Sequence, residues 1–281
     1  MEIVYKTLSS EIASIAVECG VNIIMVDLGK LLKETKDYKI TFGWAFDYDA
    51  FMQDCLTKIK EIKASIGDKK LRVVVTTEMG DSVIDELNNI GVDELYLSQW
   101  TEVEEVRRFA SKVGGKQIIG VVFNSNDEIA LADNVFGLNI KEAYIDTLEL
   151  YDDCIEEYKM IANGTIEKIC SKAKESNVAI SFGDVRFIKS YPSEAEFLIA
   201  ELCNVNASSV LLSRTFNGCY EDKYLNEAPI ELSKNVSFVR EQENKWSSAS
   251  KESILDQRKR MLEDYLIAKK NIIDIESQYS A

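Results

Sequence analysis

The chemistry open to this chain is bounded first by a residue it lacks, because its 281 positions hold no histidine. That removes a Ser-His-Asp triad, a Cys-His pair, an imidazole base and a His-ligated zinc. Carboxylates, lysines, tyrosines, cysteines or a metal held by oxygen must do whatever is done. Cysteines at 19, 55, 154, 170, 203 and 219 are scattered without a CxxC pair, which reads as indifferent thiols in a reducing compartment. Several charged side chains close apolar runs: Asp27 ends one, Glu78 follows Thr76-Thr77, and Asp146 and Glu149 follow Tyr144-Ile145. Arg186 and Arg214 follow two further runs and could grip a carboxylate or phosphate with paired N–H donors. Lys33 and Lys36, just beyond Asp27, could draw in an anion. Each has a plain structural use too: Asp27 as a helix cap, the lysines as exposed helix charges. Arg186 and Arg214 could equally pair with Asp184, Glu196 or Glu201.

The elements that must position these residues alternate. Short β-branched runs occur at Glu2 to Lys6, Val21 to Leu28, Leu71 to Thr77, Glu94 to Leu97, Gln117 to Phe123, Ala143 to Leu148, Val178 to Phe182 and Ser209 to Leu212. Most are apolar on both faces, as strands of a covered parallel sheet are. Helical periods lie between them, at Ser9 to Cys19, Tyr48 to Ile66, Asp81 to Ile90, Glu102 to Val113, Thr165 to Ser176 and Ser193 to Cys203. Eight β-α units predict an α/β fold, a (β/α)8 TIM barrel, over 1–222. An open doubly wound sheet is the alternative, but the first turn, Thr7-Leu8-Ser9-Ser10, carries no glycine-rich phosphate loop. A C-terminal helical extension is expected over 223–281. Its first part, Asn226 to Lys234 around Pro229, reads as irregular; helices follow at Asn235 to Trp246 and Lys251 to Ser277, the second capped by Ser248 or Ser250.

The net charge of −15 argues against nucleic acid or an anionic membrane as partner, since both need basic surface. No apolar stretch is long enough to span a bilayer, and Met1 to Lys6 has no leader pattern. A cytoplasmic protein is expected.

Two motifs carry a resemblance to a known family. Ser181-Phe182-Gly183-Asp184-Val185-Arg186 and Leu211-Leu212-Ser213-Arg214-Thr215-Phe216, with Glu194-Ala195-Glu196 and Ala200-Glu201 between, are similar to the HpcH/HpaI aldolase and citrate lyase β-subunit family, in the branch found among polysaccharide-biosynthesis proteins. Gly20 to Leu28 and Phe109 to Gly115 resemble the same family. The resemblance covers residues 1–220 and implies a barrel of the phosphoenolpyruvate/pyruvate type, usually a homo-oligomer, acting on a small keto acid. It implies Mg²⁺ or Mn²⁺ held at the ends of strands five and six, stabilising an enolate.

Carried over by position, the metal ligands are Asn124, where the family has Glu, and Glu149, where it has Asp, with Asp146 as spare. The family's strand-three Arg has no counterpart; Thr76 stands at that strand's end and Arg72 at its start. In the strand-two loop Asp27 and Lys33 are kept as catalytic candidates, Gly29 replaces a Glu, and Lys36 replaces an Arg. Substrate binding falls to Arg186, Arg214, Lys36 and Thr76. A Schiff-base lysine is set aside, because Lys6 and Lys189 lie only at strand or loop edges. The expectation is a metal-dependent carbon–carbon lyase on a 2-keto acid or sugar-derived substrate. A degenerate barrel that binds a ligand or partner is the alternative.

Overall fold

A computed structural model describes residues 1–113, 115, 117–147, 164–185, 188, 192–212, 228–261 and 263. Its strands are β1 (Glu2–Lys6), β2 (Ile23–Asp27), β3 (Lys70–Thr76), β4 (Glu94–Ser98), β5 (Ile118–Phe123), β6 (Glu142–Ile145), β7 (Ala179–Phe182), β8 (Asp184–Val185) and β9 (Ser209–Leu212). All pair in parallel, in the order β7-β6-β5-β4-β3-β2-β1-β9-β8. The two ends of that order are consecutive in the chain. β7 pairs with β6 and β8 pairs with β9, so β7 and β8 are two halves of one stave and the sheet closes. Gly183 makes the break, at φ +67; a Cβ there would lie 2.7 Å from Leu198 Cδ1, so the left-handed backbone and the close leucine both favour glycine. Eight staves with intervening helices are the expected (β/α)8 barrel.

The helices are α1 (Ser10–Glu18), α2 (Leu28–Thr41), α3 (Tyr48–Ser65), α4 (Asp81–Ile90), α5 (Val103–Lys112), α6 (Asn126–Ala130), α7 (Ala132–Phe136), α8 (Thr165–Glu175), α9 (Pro192–Asn204) and α10 (Ala228–Ser247). The sequence pattern hid α2, because its single turn of buried residues (Leu28, Gly29, Leu32) precedes a polar, lysine-rich stretch. The extension also differs from expectation at its start. Ala228-Pro229 opens α10 where an irregular stretch was read, since proline is at home in a helix's first turn, where its missing N–H costs nothing. Ser250 caps the helical segment 251–261 by accepting from the Ser253 N–H at 3.2 Å. No described helix is long and apolar enough to cross a membrane.

The extension is fastened to its own barrel. Arg240 donates to Met1 O (2.8 Å) and to Asn22 Oδ1 (3.0 Å), at the starts of β1 and β2. Arg258 forms a two-pronged pair with Glu201 of α9 (2.8 and 2.6 Å), and Lys245 pairs with Glu196 at 2.5 Å. Glu196 and Glu201 are therefore spoken for by the extension.

Strand alternation sorts side chains into two cores. Outward residues such as Ile3, Tyr5, Val73, Leu95, Val121 and Ile145 pack beneath the helices. Inward ones, Val4, Ile23, Met25, Val74, Tyr96, Val122, Tyr144 and Leu211, fill the barrel. The floor of that inner core is ionic. Arg72, 3% exposed, donates from Nε to Glu94 (2.6 Å) and from Nη2 to Glu142 (2.9 Å), and it lies 4.4 Å from the Tyr96 ring centroid. Tyr96 OH donates to Glu142. Lys70 donates to Glu2 at 3.0 and 3.1 Å and stands 3.4 Å from Glu94 Oε1, an ion pair without hydrogen-bond alignment. Burial works against the Arg72 charge; Tyr96, Glu94 and Glu142 reverse that and hold the guanidinium more firmly protonated than usual. Gly120 makes the room, since a Cβ there would sit 2.6 Å from the Tyr96 ring.

Removing one partner of such a network strands the others without solvent. Arg72→Ala is expected to cost about 3–5 kcal/mol in chemical denaturation. Replacing Arg72, Glu94 and Glu142 together by apolar residues of similar size is expected to cost less than that single change. A triple variant weaker than Arg72→Ala would show that the charges themselves stabilise the floor.

Candidate active site at the barrel mouth

Strands of a (β/α)8 barrel present functional groups at their C-terminal ends. Here those ends surround a cavity of about 30 Å³, the size of a water site. Lys6 ends β1, Asp27 ends β2, Ser98 ends β4, Asn124 follows β5, Asp146 follows β6 and Asp184 begins β8; all line it, as does Lys30 of α2. Arg72, Tyr96 and Tyr144 form its lower wall, and Tyr144 donates its hydroxyl to Gly183 O at 2.8 Å.

The best-defined pair is Lys6 Nζ to Asp27 Oδ2, at 2.8 Å. Asp27 is used twice: its Oδ1 accepts the Lys30 N–H at 2.9 Å and caps α2. Helix cap and site residue were read as competing roles, and the geometry combines them. Burial opposes the Lys6 charge, but Asp27 foremost, then Asp184 and Asp146, outweigh it and hold the ammonium above the ordinary lysine value. Sequence reasoning dismissed Lys6 as a strand edge. The position was the signal: in a parallel barrel the last residue of a strand, on the inward phase set by Val4, is at the mouth.

The other expected residues divide. Thr76 ends β3 and is buried, with Oγ1 lacking a hydrogen-bond partner among the described residues. A Cβ on Gly29 would come within 2.5 Å of the Thr76 methyl, so the close seat of α2 on β3 excludes the side chain that the family carries there. Half-buried Lys36 pairs with exposed Glu78 at 2.7 Å and ties α2 to the loop after β3 outside the cavity. Lys33 sits exposed on α2 and does not line the cavity. Glu149, Arg186 and Arg214 lie outside the described residues. Trp100 is a packing residue, as read: it is buried, and its Nε1–H donates to Val122 O at 3.0 Å.

A divalent ion of the Mg²⁺ kind needs several converging hard oxygens. The described donors do not supply them. Asn124 Oδ1 already accepts from Ser98 Oγ (2.8 Å) and from the Gln99 N–H (3.3 Å). Both Asp27 oxygens are engaged, and among the described residues no three His, Cys, Asp or Glu side chains converge on one point. Beside Asp27, Asp146 and Asp184 stands the Lys6 ammonium, with Lys30 and Arg72 lining the same cavity.

No family model and no curated protein matches the sequence. Among solved structures the chain is similar to an HpcH/HpaI aldolase/citrate lyase family protein from Burkholderia cenocepacia (TM-score 0.54, 9% identity, 84% of this chain and 95% of that one). It is similar to an HpcH/HpaI aldolase from Desulfitobacterium hafniense (TM-score 0.54, 13% identity, 85% and 93%). It is equally similar to tryptophan synthase from M. tuberculosis (TM-score 0.55, 9% identity, 86% and 91%). At such identities the likeness establishes the barrel, and one barrel serves many chemistries.

Beside the mouth, Glu128 accepts the N–H groups of Asn124 and Ser125 and closes a capping box with Ser125. Burial pushes its carboxyl from 4.5 to about 7 against those two donors. The folded state then binds a proton that the unfolded chain has released, so stability falls as pH rises from about 4.5 to about 7 and levels off above. Glu128→Gln is expected to flatten that slope in pH-dependent thermal unfolding. An unchanged slope would assign the pH dependence to another group.

Proposed function

We propose that the chain is a carbon–carbon lyase of the HpcH/HpaI aldolase/citrate lyase type, acting on a small 2-keto acid or sugar-derived keto acid through an enolate. The observation that carries this reading is the ammonium of Lys6 grouped with the carboxylates of Asp27, Asp146 and Asp184 around one cavity at the catalytic end of the barrel. Aldol cleavage needs two things from a site: a base for the hydroxyl proton and a fixed positive charge for the oxygen that becomes negative. Carboxylates and an ammonium lining one cavity are suited to both. The barrel likeness and the motifs at 181–186 and 211–216 support the same class, with Arg186 and Arg214 as holders of the substrate carboxylate and Glu149 as a further acid. Four described cysteines, at 19, 55, 170 and 203, are free thiols, in keeping with a cytoplasmic setting, and the resemblance implies a homo-oligomer. For the Mg²⁺ or Mn²⁺ that the resemblance implies, the oxygens of Asn124 and Asp27 are already committed.

The narrowness of the cavity and the closed Lys6–Asp27 pair favour the second reading, a barrel that binds a ligand or partner without turnover. Release of pyruvate from a panel of 4-hydroxy-2-keto acids separates the two. The lyase reading expects release, and a fall of about 10²- to 10⁴-fold in Asp146→Asn, the effect of losing a general base. Absence of release, together with no thermal shift by pyruvate or oxalate with or without Mg²⁺, would reject the enzyme and leave the binding protein.

A further inference from the structure

We infer that Lys6 is a catalytic residue whose ammonium takes the charge-stabilising role that a divalent metal would otherwise have, making this a metal-independent enolate site. The inference rests on the lyase reading above and adds the identity of its electrophile. Three observations lead to it. Lys6 lines the same cavity as Asn124, the strand-five position at which the resemblance places a metal ligand, and as Asp146, the spare for the strand-six ligand Glu149. Its Nζ is fixed at 2.8 Å from Asp27 Oδ2, and Asp27 is itself fixed by capping α2, so the ammonium is oriented by a positioning residue that cannot swing freely. Among the described residues no three carboxylate or thiol side chains converge on one point, and the oxygens of Asn124 and Asp27 are already hydrogen-bonded.

An ammonium with three N–H donors can give one to Asp27 and keep others for a substrate oxygen. Its charge is retained by the facing carboxylates of Asp27, Asp184 and Asp146, which also makes it a poor nucleophile and argues against a Schiff base. The step balances without a cofactor. With a 4-hydroxy-2-keto acid bound, Asp146 takes the hydroxyl proton. The O–H electrons form the aldehyde carbonyl as the C–C bond breaks. The electron pair of that bond moves onto the keto oxygen, where Lys6 donates a hydrogen bond to the enolate. The carboxyl then returns its proton to the enolate carbon, giving pyruvate.

Calorimetric titration of EDTA-treated full-length protein with oxalate, a mimic of the pyruvate enolate, tests this directly. Oxalate is expected to bind without metal, with an affinity that added Mn²⁺ leaves unchanged. Lys6→Met is expected to weaken it about ten- to a hundredfold, the worth of a charged hydrogen bond. Lys6→Arg, which keeps the charge and the Asp27 partner, guards against a folding defect and is expected to retain most of the affinity. Binding that requires Mn²⁺ would overturn the role of Lys6 while leaving the lyase reading standing, as would metal-free binding that Lys6→Arg and Lys6→Met leave untouched. Binding under neither condition would remove the lyase reading and the role of Lys6 together.

Discussion

A closed barrel of eight parallel strands has an interior that water does not fill, so the inward side chains must fill it and satisfy one another. In this chain the lower half is filled by charge. Arg72 spans from β3 to Glu94 on β4 and Glu142 on β6, with the Tyr96 ring against it. The arrangement is possible because β5 contributes no side chain at Gly120, where the ring lies. Guanidinium, two carboxylates and a phenol lock three staves in one register. They also set the height of the floor above which the cavity opens.

The mouth is built on that floor by the same alternation. Two residues above Val4 stands Lys6, two above Met25 stands Asp27, two above Tyr96 stands Ser98 and two above Val122 stands Asn124, so the inner phase of each strand runs from core to site without a break. Coupling follows from this continuity. Asp27 holds the start of α2 and the head of Lys6 at once, and α2 seats so closely on Thr76 that position 29 must be glycine. The extension packs against α9 and α1; Arg240 reaches Met1 and Asn22, and the Glu201–Arg258 pair anchors it to α9.

The barrel does not by itself choose a reaction. What narrows the choice is the chemistry of the mouth: no imidazole anywhere, carboxylates on three staves, and one fixed ammonium among them. Such a set can move a proton over a short distance and hold a developing oxyanion. It lacks the means for imidazole-assisted acyl transfer. The proposed lyase and its metal-independent site both draw on that inventory together with its geometry.

Local sequence determined most of the elements, because hydrophobic period and caps are properties of a few adjacent residues. β1, β9 and α4 fall where the pattern puts them, and Ser9 and Asp47 cap α1 and α3 through their own side chains. The missing histidine and the acid at the end of β2 were equally legible. Among the elements misread from sequence, α2 and the start of α10 draw their stability from what they pack on and not from their own apolar period. The site was only half legible for a related reason. Asp27 announces itself by ending an apolar run, but Lys6, Arg72, Glu94 and Glu142 look like ordinary strand-terminal charges until the strands are laid side by side. Which charges meet depends on register and on which face of each strand turns inward, and both are settled only when the eighth stave closes on the first.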